Sequence, residues 1–225
     1  EYGTATINTA TTIGPVKTDD LKSLSITVDS AATVEVKAVK GGSSTATTSQ
    51  VAARAPWTIA LKDLLQEGDP DGTYTISIKA TDEAGNEATF SYGITIVVDN
   101  EGPTLVSLKA IDTQGNKVTA VKREIQWEVG RAVATIEAVV SEPVEIVNSA
   151  SAVVYIEIEG TWQEYGRFSV DDDPTKIIIT PDPSNATAAL TGTFTFKVDA
   201  GVVKDLAGNR NDEITITLVV EEQEP

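Results

Sequence analysis

Residues 73–81 (TYTISIKAT) alternate side-chain character at period two, turn at Asp82-Glu83-Ala84-Gly85-Asn86, and return as residues 87–98 (EATFSYGITIVV). Successive side chains of a strand point to opposite faces, so this alternation suits a half-buried strand and cannot form one face of a helix. With a turn of Asp, Gly and Asn between them, the two runs form the clearest hairpin in the chain. Any fold for this sequence must accommodate that antiparallel pair.

The same pattern recurs on both sides. Residues 1–14 read as a first strand, 21–29 and 33–39 as two more, and 57–61 as another. Residues 41–56 are rich in Gly, Ser, Thr and Ala and read as a loop or weak edge strand. A short helical turn over 62–66 precedes an acidic loop at 67–72. Beyond Gly102-Pro103 strands are expected at 105–111, 132–140, 152–159, 166–170, 176–180, 193–198 and 213–220, with Asp-Pro and Pro-Asp-Pro loops between. No segment sustains a 3.6-residue period, so the fold class is all-β.

An internal repeat divides the chain. Gly72-Thr73-Tyr74-Thr75 answers to Gly192-Thr193-Phe194-Thr195, Asp82-Glu83-Ala84-Gly85-Asn86 to Asp205-Leu206-Ala207-Gly208-Asn209, and Ile94-Thr95-Ile96 to Ile214-Thr215-Ile216, at offsets of about 120 residues. That is the size of one β-sandwich, which predicts domains at 1–101 and 102–225.

Composition narrows the function. The net charge is −17, from 34 acidic and 17 basic residues. This argues against nucleic-acid or anionic-membrane partners and in favour of recruited cations. No apolar run approaches the ~20 residues of a membrane span, so membrane insertion is not expected. No signal peptide precedes Glu1, which fits a mature form or an excised fragment. Cys, His and Met are absent. Disulfides, Ser-His-Asp and thiol catalysis, and His or Cys metal sites are therefore excluded. The remaining donors are hard oxygens, which suit calcium or magnesium.

Several of these strings resemble the bacterial Ig-like domains of cell-surface and S-layer proteins. Ser141-Glu142-Pro143-Val144, Ile179-Thr180-Pro181 and Gly201 through Asn209 resemble the S-layer type over roughly 103–220. The first half carries only the Ala80–Asn86 hairpin and its terminal strand. The resemblance implies two tandem immunoglobulin-like β-sandwiches, surface display and frequent calcium binding. It implies no enzymatic activity.

On such a sandwich the acidic loops sort by pole. Asp99, Asn100 and Glu101 stand at the joint. Glu67, Asp69 and Asp71 are expected at the exit pole of the first domain, and Glu142, Asp205 and Asn209 at the leading pole of the second. Together these make a candidate calcium set. Asp82 and Asn86, with Asp29, fall at the opposite pole of the first domain, and that group could meet a preceding domain or a neighbouring molecule. Each Asp-x-Ala-Gly-Asn string is equally a tight turn in its own right, and Asp171-Asp172-Asp173 reads as a solvated loop.

The leading reading is thus a non-enzymatic extracellular structural or adhesive protein with a calcium-stiffened joint. A first alternative is a self-assembling filament or S-layer lattice subunit, in which residues 1–14 add a strand to a neighbour. A second is a carbohydrate-binding accessory module using Tyr155, Trp162, Tyr165 and Phe168. Trp57, Trp127 and Trp162 read first as core or strand-edge aromatics. Asn185-Ala186-Thr187 fits a glycosylation sequon, and Glu221–Pro225 resembles the start of another joint. Expected partners are neighbouring Ig-like domains or subunits, with carbohydrate as the further alternative.

Overall fold

The structure is a computed structural model that describes residues 11–68, 70–183 and 191–221, without the side chains of Ser91 and Tyr92. Asp69, residues 1–10, the sequon and the acidic tail beyond Glu221 lie outside the described residues. The chain divides into two compact units, Glu1–Asn100 and Glu101–Pro225. Every described element is a strand or a short 3-10 turn.

The first unit has seven strands, β1 (Thr11–Val16), β2 (Ser23–Thr27), β3 (Ala32–Lys40), β4 (Ser43–Val51), β5 (Pro56–Ala60), β6 (Gly72–Asp82) and β7 (Glu87–Val98). They form a five-stranded sheet in the order β1-β7-β6-β3-β4 and a two-stranded sheet of β2 and β5. β-Branched residues at alternate positions drive this layering. Val34 and Val36 of β3 lie beside Tyr74, Ile76 and Ile78 of β6 and Ile94 and Ile96 of β7 in one core, which also holds Ile26 and Ile59 of the smaller sheet. The 3-10 turn Leu61–Leu64 buries Leu61 and Leu64 at its edge. The β6–β7 hairpin has the expected register, Thr73 opposite Val97 and Thr81 opposite Glu87, with an irregularity between Ile76 and Ile78. Residues 43–51, read from sequence as a loop or weak edge strand, are a nine-residue edge strand.

The second unit has β8 (Leu105–Asp112), β9 (Lys117–Thr119), β10 (Glu124–Glu128), β11 (Val133–Val140), β12 (Glu145–Ile146), β13 (Val153–Ile158), β14 (Thr161–Val170), β15 (Lys176–Pro181), β16 (Gly192–Val198), β17 (Val203–Lys204) and β18 (Ile214–Glu221). Nine of these form one sheet, β10-β18-β16-β13-β14-β15-β11-β8-β9. Its first five strands repeat the five-stranded sheet of the first unit. In each, a leading strand pairs parallel to the last strand, β1 to β7 and β10 to β18, and the rest is antiparallel. Both hairpins open on a glycine opposite the last apolar residue, Gly72 with Val98 and Gly192 with Val220. The strands on both sides of β14 and β15 share one apolar core, with Ile125, Trp127, Ile136, Ile156, Tyr165, Phe196 and Leu218 among its members.

Candidate cation-binding sites

The hairpin turn is the local unit from which each acidic position is built. In Asp82–Asn86 the Asp82 N–H donates to the Asn86 carbonyl at 3.0 Å, and the Gly85 N–H to the Asp82 carbonyl at 3.0 Å. Gly85 has φ +85°, a left-handed conformation that glycine adopts without a Cβ penalty. The carboxylate is then clasped above all by Asn86, whose N–H donates to Oδ1 and Nδ2 to Oδ2, each at 2.8 Å. These bonds favour the ionised form and hold the Asp82 carboxyl below its ordinary value.

Asp205–Asn209 repeats this geometry bond for bond, with both side-chain contacts at 2.8 Å. So does Asp112-Thr113-Gln114-Gly115-Asn116, where Asn116 donates twice to Asp112 at 2.8 Å. Sequence reasoning passed over this third turn, although Asp and Gly-Asn stand at the same spacing. The turn role proposed for Asp-x-Ala-Gly-Asn strings is thus fully formed in each.

What surrounds the turns differs. Asp82 is only half-buried. Asp112 is 5% exposed and meets the guanidinium of Arg131, which donates from Nη2 at 2.8 Å and Nε at 3.1 Å. Asn116 first and Arg131 second hold the Asp112 carboxyl far below the usual carboxylate range. Arg131 also covers the ring of Trp127 at 4.6 Å. Asp205 is 2% exposed, and a carboxylate oxygen of Glu142 comes within 4.8 Å of it. One buried turn carboxylate therefore faces a cation, and the other faces a second carboxylate.

One further segment, the leading residues 102–104, meets the flanks of the Glu142–Asp205 pair within the second unit. Thr104 and Ser141 exchange hydrogen bonds, Thr104 N–H to Ser141 Oγ at 3.0 Å and Ser141 N–H to the Thr104 carbonyl at 2.9 Å. Gly102 lies against the Arg210 backbone so closely that a Cβ there would stand 2.2 Å from the Arg210 carbonyl oxygen. The leading segment Glu101–Thr104 is thereby tied to both the Glu142 loop and the 205–209 turn. Glu101 itself is exposed. Every side-chain donor in this group is an oxygen or amide, which suits calcium and offers nothing to softer metals.

In the first unit Asn100 acts mainly as a clasp. Its Oδ1 accepts the Thr18 N–H at 2.9 Å, its Nδ2 donates to Thr18 Oγ1 at 2.9 Å and to Asp71, and its own N–H reaches Asp71 Oδ1 at 3.1 Å. Asp99 N–H donates to the Val16 carbonyl at 3.1 Å. The structure thus brings Asp71 to the Asn100 end, and adds Thr18, which sequence reasoning missed. Glu67 is exposed on the loop before β6. Asp82 and Asn86 sit at the other end of the 12-residue β7, about 35–40 Å from Asp99 at ~3.3 Å per residue. Asp29 lies at that far end too, three residues before Ala32, which pairs with Asp82.

The chain's sandwich layering has a counterpart among known families. Residues 15–100 match the family described as Bacterial Ig-like domain. The Ig-like match falls on the first unit, where sequence offered the thinner likeness; the S-layer-type likeness of 103–220 remains an expectation. No curated protein matches the chain. Among solved structures, a 1.5-MDa bacterial ice-binding adhesin is 19% identical, over 94% of this chain and 61% of that one, at TM-score 0.37. A tetra-tandem repeat from the extending region of a large adhesion protein is 14% identical, over 92% of this chain and 72% of that one, at TM-score 0.32. A Ca2+-stabilized, ice-binding adhesin of an Antarctic bacterium is 17% identical, over 98% and 50%, at TM-score 0.30. Similarity this remote carries no argument about what the chain binds.

The exposed aromatic strip that the carbohydrate alternative requires does not form. Tyr165 and Phe168 point into the core, and only Trp162, 39% exposed, and half-buried Tyr155 remain outside. Lys197 lies over both rings, at 4.9 and 5.7 Å. Residues 11–14 of the supposed donor arm belong to β1, and Thr11, Thr12 and Ile13 pair with β7 of their own unit. Trp127 is buried and donates from Nε1 to the Arg131 carbonyl at 2.9 Å. Asp173 accepts from Lys176 at 2.7 Å and from Thr175 Oγ1 at 2.6 Å, so the 171–173 loop is an internally bonded turn. No helix among the described residues is long and apolar enough to cross a membrane.

Proposed function

We propose that this chain is a non-enzymatic structural segment of a bacterial surface adhesin, made of two tandem Ig-like sandwiches whose joint is stiffened by calcium. The Ig-like match over 15–100 supports the module type. The repeated five-strand order supports a second module of the same descent at 101–225.

The observation that carries the calcium reading is the Glu142–Asp205 pair. Two carboxylates this close repel, and burying one of them raises the cost because less solvent screens it. A divalent cation would reverse the sign of that interaction. The clasp by Asn209 leaves further lone pairs on both Asp205 oxygens, since each accepts one bond from it. Chain continuity supplies Glu101 from the tied leading segment, with Asp99 next but one before it. Calcium accepts six to eight oxygens in irregular geometry, so water and backbone carbonyls can complete the shell.

Isothermal titration of chelator-treated protein with CaCl2 tests the reading. A saturable heat that is lost in Glu142→Gln and Asp205→Asn supports it. Equal binding by those variants would move the ion elsewhere, and no heat at all would remove calcium from the account.

A further inference from the structure

We propose that strand β4 is a self-pairing edge, through which two copies of this chain associate by antiparallel β4–β4 addition. A sheet edge presents unpaired backbone N–H and C=O groups, and folded proteins ordinarily guard such edges with charge, proline, bulges or brevity. Nearly every other edge here is guarded. β1 is six residues long, carries Gly14-Pro15 and loses register between Ile13 and Val16. β9 has three residues and begins with Lys117. β10 has five, with Glu124 and Glu128 at its ends. In the small sheet β5 begins with Pro56, and β2 has five residues after Lys22.

β4 has none of these features. It pairs with β3 over all nine residues without a register shift, from Lys40 opposite Ser43 to Ala32 opposite Val51, and no strand flanks its other side among the described residues. Its sequence, SSTATTSQV, has no charge and no proline, and the uncharged run extends from Gly41 to Ala53. At the chain's 23% charge content, nine residues would carry about two charges.

Charge selects the occupant. Two molecules of net charge −17 repel, and a contact at which neither places charge adds no local repulsion to that. A β4–β4 pair centred on Thr47 meets that condition. It sets Ala46 opposite the partner copy's Thr48 and Ser44 opposite its Gln50, with no like-charge pair. The outward residues Ser44, Ala46, Thr48 and Gln50 are all exposed and small or neutral. One added strand is a small interface, so the association is weak and reversible in solution, and gains from the high local concentration of a surface array.

Sedimentation velocity of the full chain over a wide concentration range tests this, in chelator and in CaCl2 so that its failure is separable from failure of the calcium reading. The expected result is a reversible dimer. In Ala46→Glu/Thr48→Glu, like charges meet directly across the pair and weaken dimerisation roughly tenfold. Mixing that variant with Ala46→Lys/Thr48→Lys restores a mixed dimer, a rescue that depends on this register. Unchanged circular-dichroism melting shows that both variants fold. A monomer at every concentration overturns the proposal, as does undiminished dimerisation of the glutamate variant. Loss of dimers on deleting residues 1–10 overturns it too, because the occupant is then the N-terminal segment.

Discussion

Asn209 grips Asp205 twice, through its backbone N–H and its side-chain amide, each at 2.8 Å. The same double grip joins Asn86 to Asp82 and Asn116 to Asp112. One turn serves three environments: a half-exposed hairpin tip, a buried ion pair, and a buried carboxylate beside another. The turn holds the aspartate in place, and its neighbours decide what that charge can do.

Asn209→Ala removes the side-chain amide donor to Asp205 Oδ2 at a buried site and leaves the backbone N–H bond to Oδ1 in place. It should destabilise the second unit by about 1–3 kcal/mol, the cost of leaving a buried polar group short of partners. Asn86→Ala, in the exposed turn, should cost clearly less. Urea denaturation midpoints of the two variants check the order.

Acid should weaken the second unit in a defined window. Asn116 and Arg131 hold the Asp112 carboxyl far below the usual range, and Lys176 and Thr175 lower Asp173 to about 2. A lowered folded-state value means that the unfolded chain takes up protons first. The contribution is complete above ~4, the unfolded value, and fades as pH falls toward 2. Melting temperature should drop through that range, with a shallower slope in Asp112→Asn and Asp173→Asn.

Gly166 allows β14 to pass close to β15. A Cβ at Gly166 would lie 2.3 Å from the Thr180 carbonyl oxygen and 2.7 Å from the Pro181 Cα, both backbone atoms. Gly166→Ala should therefore destabilise by about 1–3 kcal/mol, as overpacking does. Gly115→Ala meets no atom within 4 Å, so its effect is limited to the φ +86° backbone. Chemical denaturation of both variants separates steric from conformational cost.

Much of the strand pattern was legible because alternation reports burial directly. Val34, Val36, Ile76, Ile78, Ile94 and Ile96 are buried at the periods read from sequence. Residues 43–51 were less legible because a strand of Ser and Thr shows no hydrophobic contrast. β10 was overlooked although Ile125 and Trp127 alternate inward, because Glu and Gln surround them. β14 starts at Thr161 instead of 166, since its first turns of sequence, TWQEY, bury little until Tyr165.

At the candidate site, loop order along the sandwich grouped Asp71 with Asn100, which lie within hydrogen-bond distance, and Glu142 with Asp205, whose carboxylate oxygens come within 4.8 Å. It could not show that Asn100 is occupied by Thr18 and Asp71, because hydrogen-bond partners 82 residues apart leave no periodic trace. Nor could it distinguish the Arg131-paired Asp112 from the Glu142-paired Asp205. That difference arises from which strands flank each turn, a property of topology.

Calcium-dependent thermal melting tests the central claim most directly. A ligand at 100 times its dissociation constant stabilises the native state by about 2.7 kcal/mol. The account predicts a saturable rise in the melting midpoint when CaCl2 is added to chelator-treated protein, strongly reduced in Asp205→Asn and Glu142→Gln. A midpoint that stays fixed when chelator is added to protein verified to carry bound calcium would contradict it.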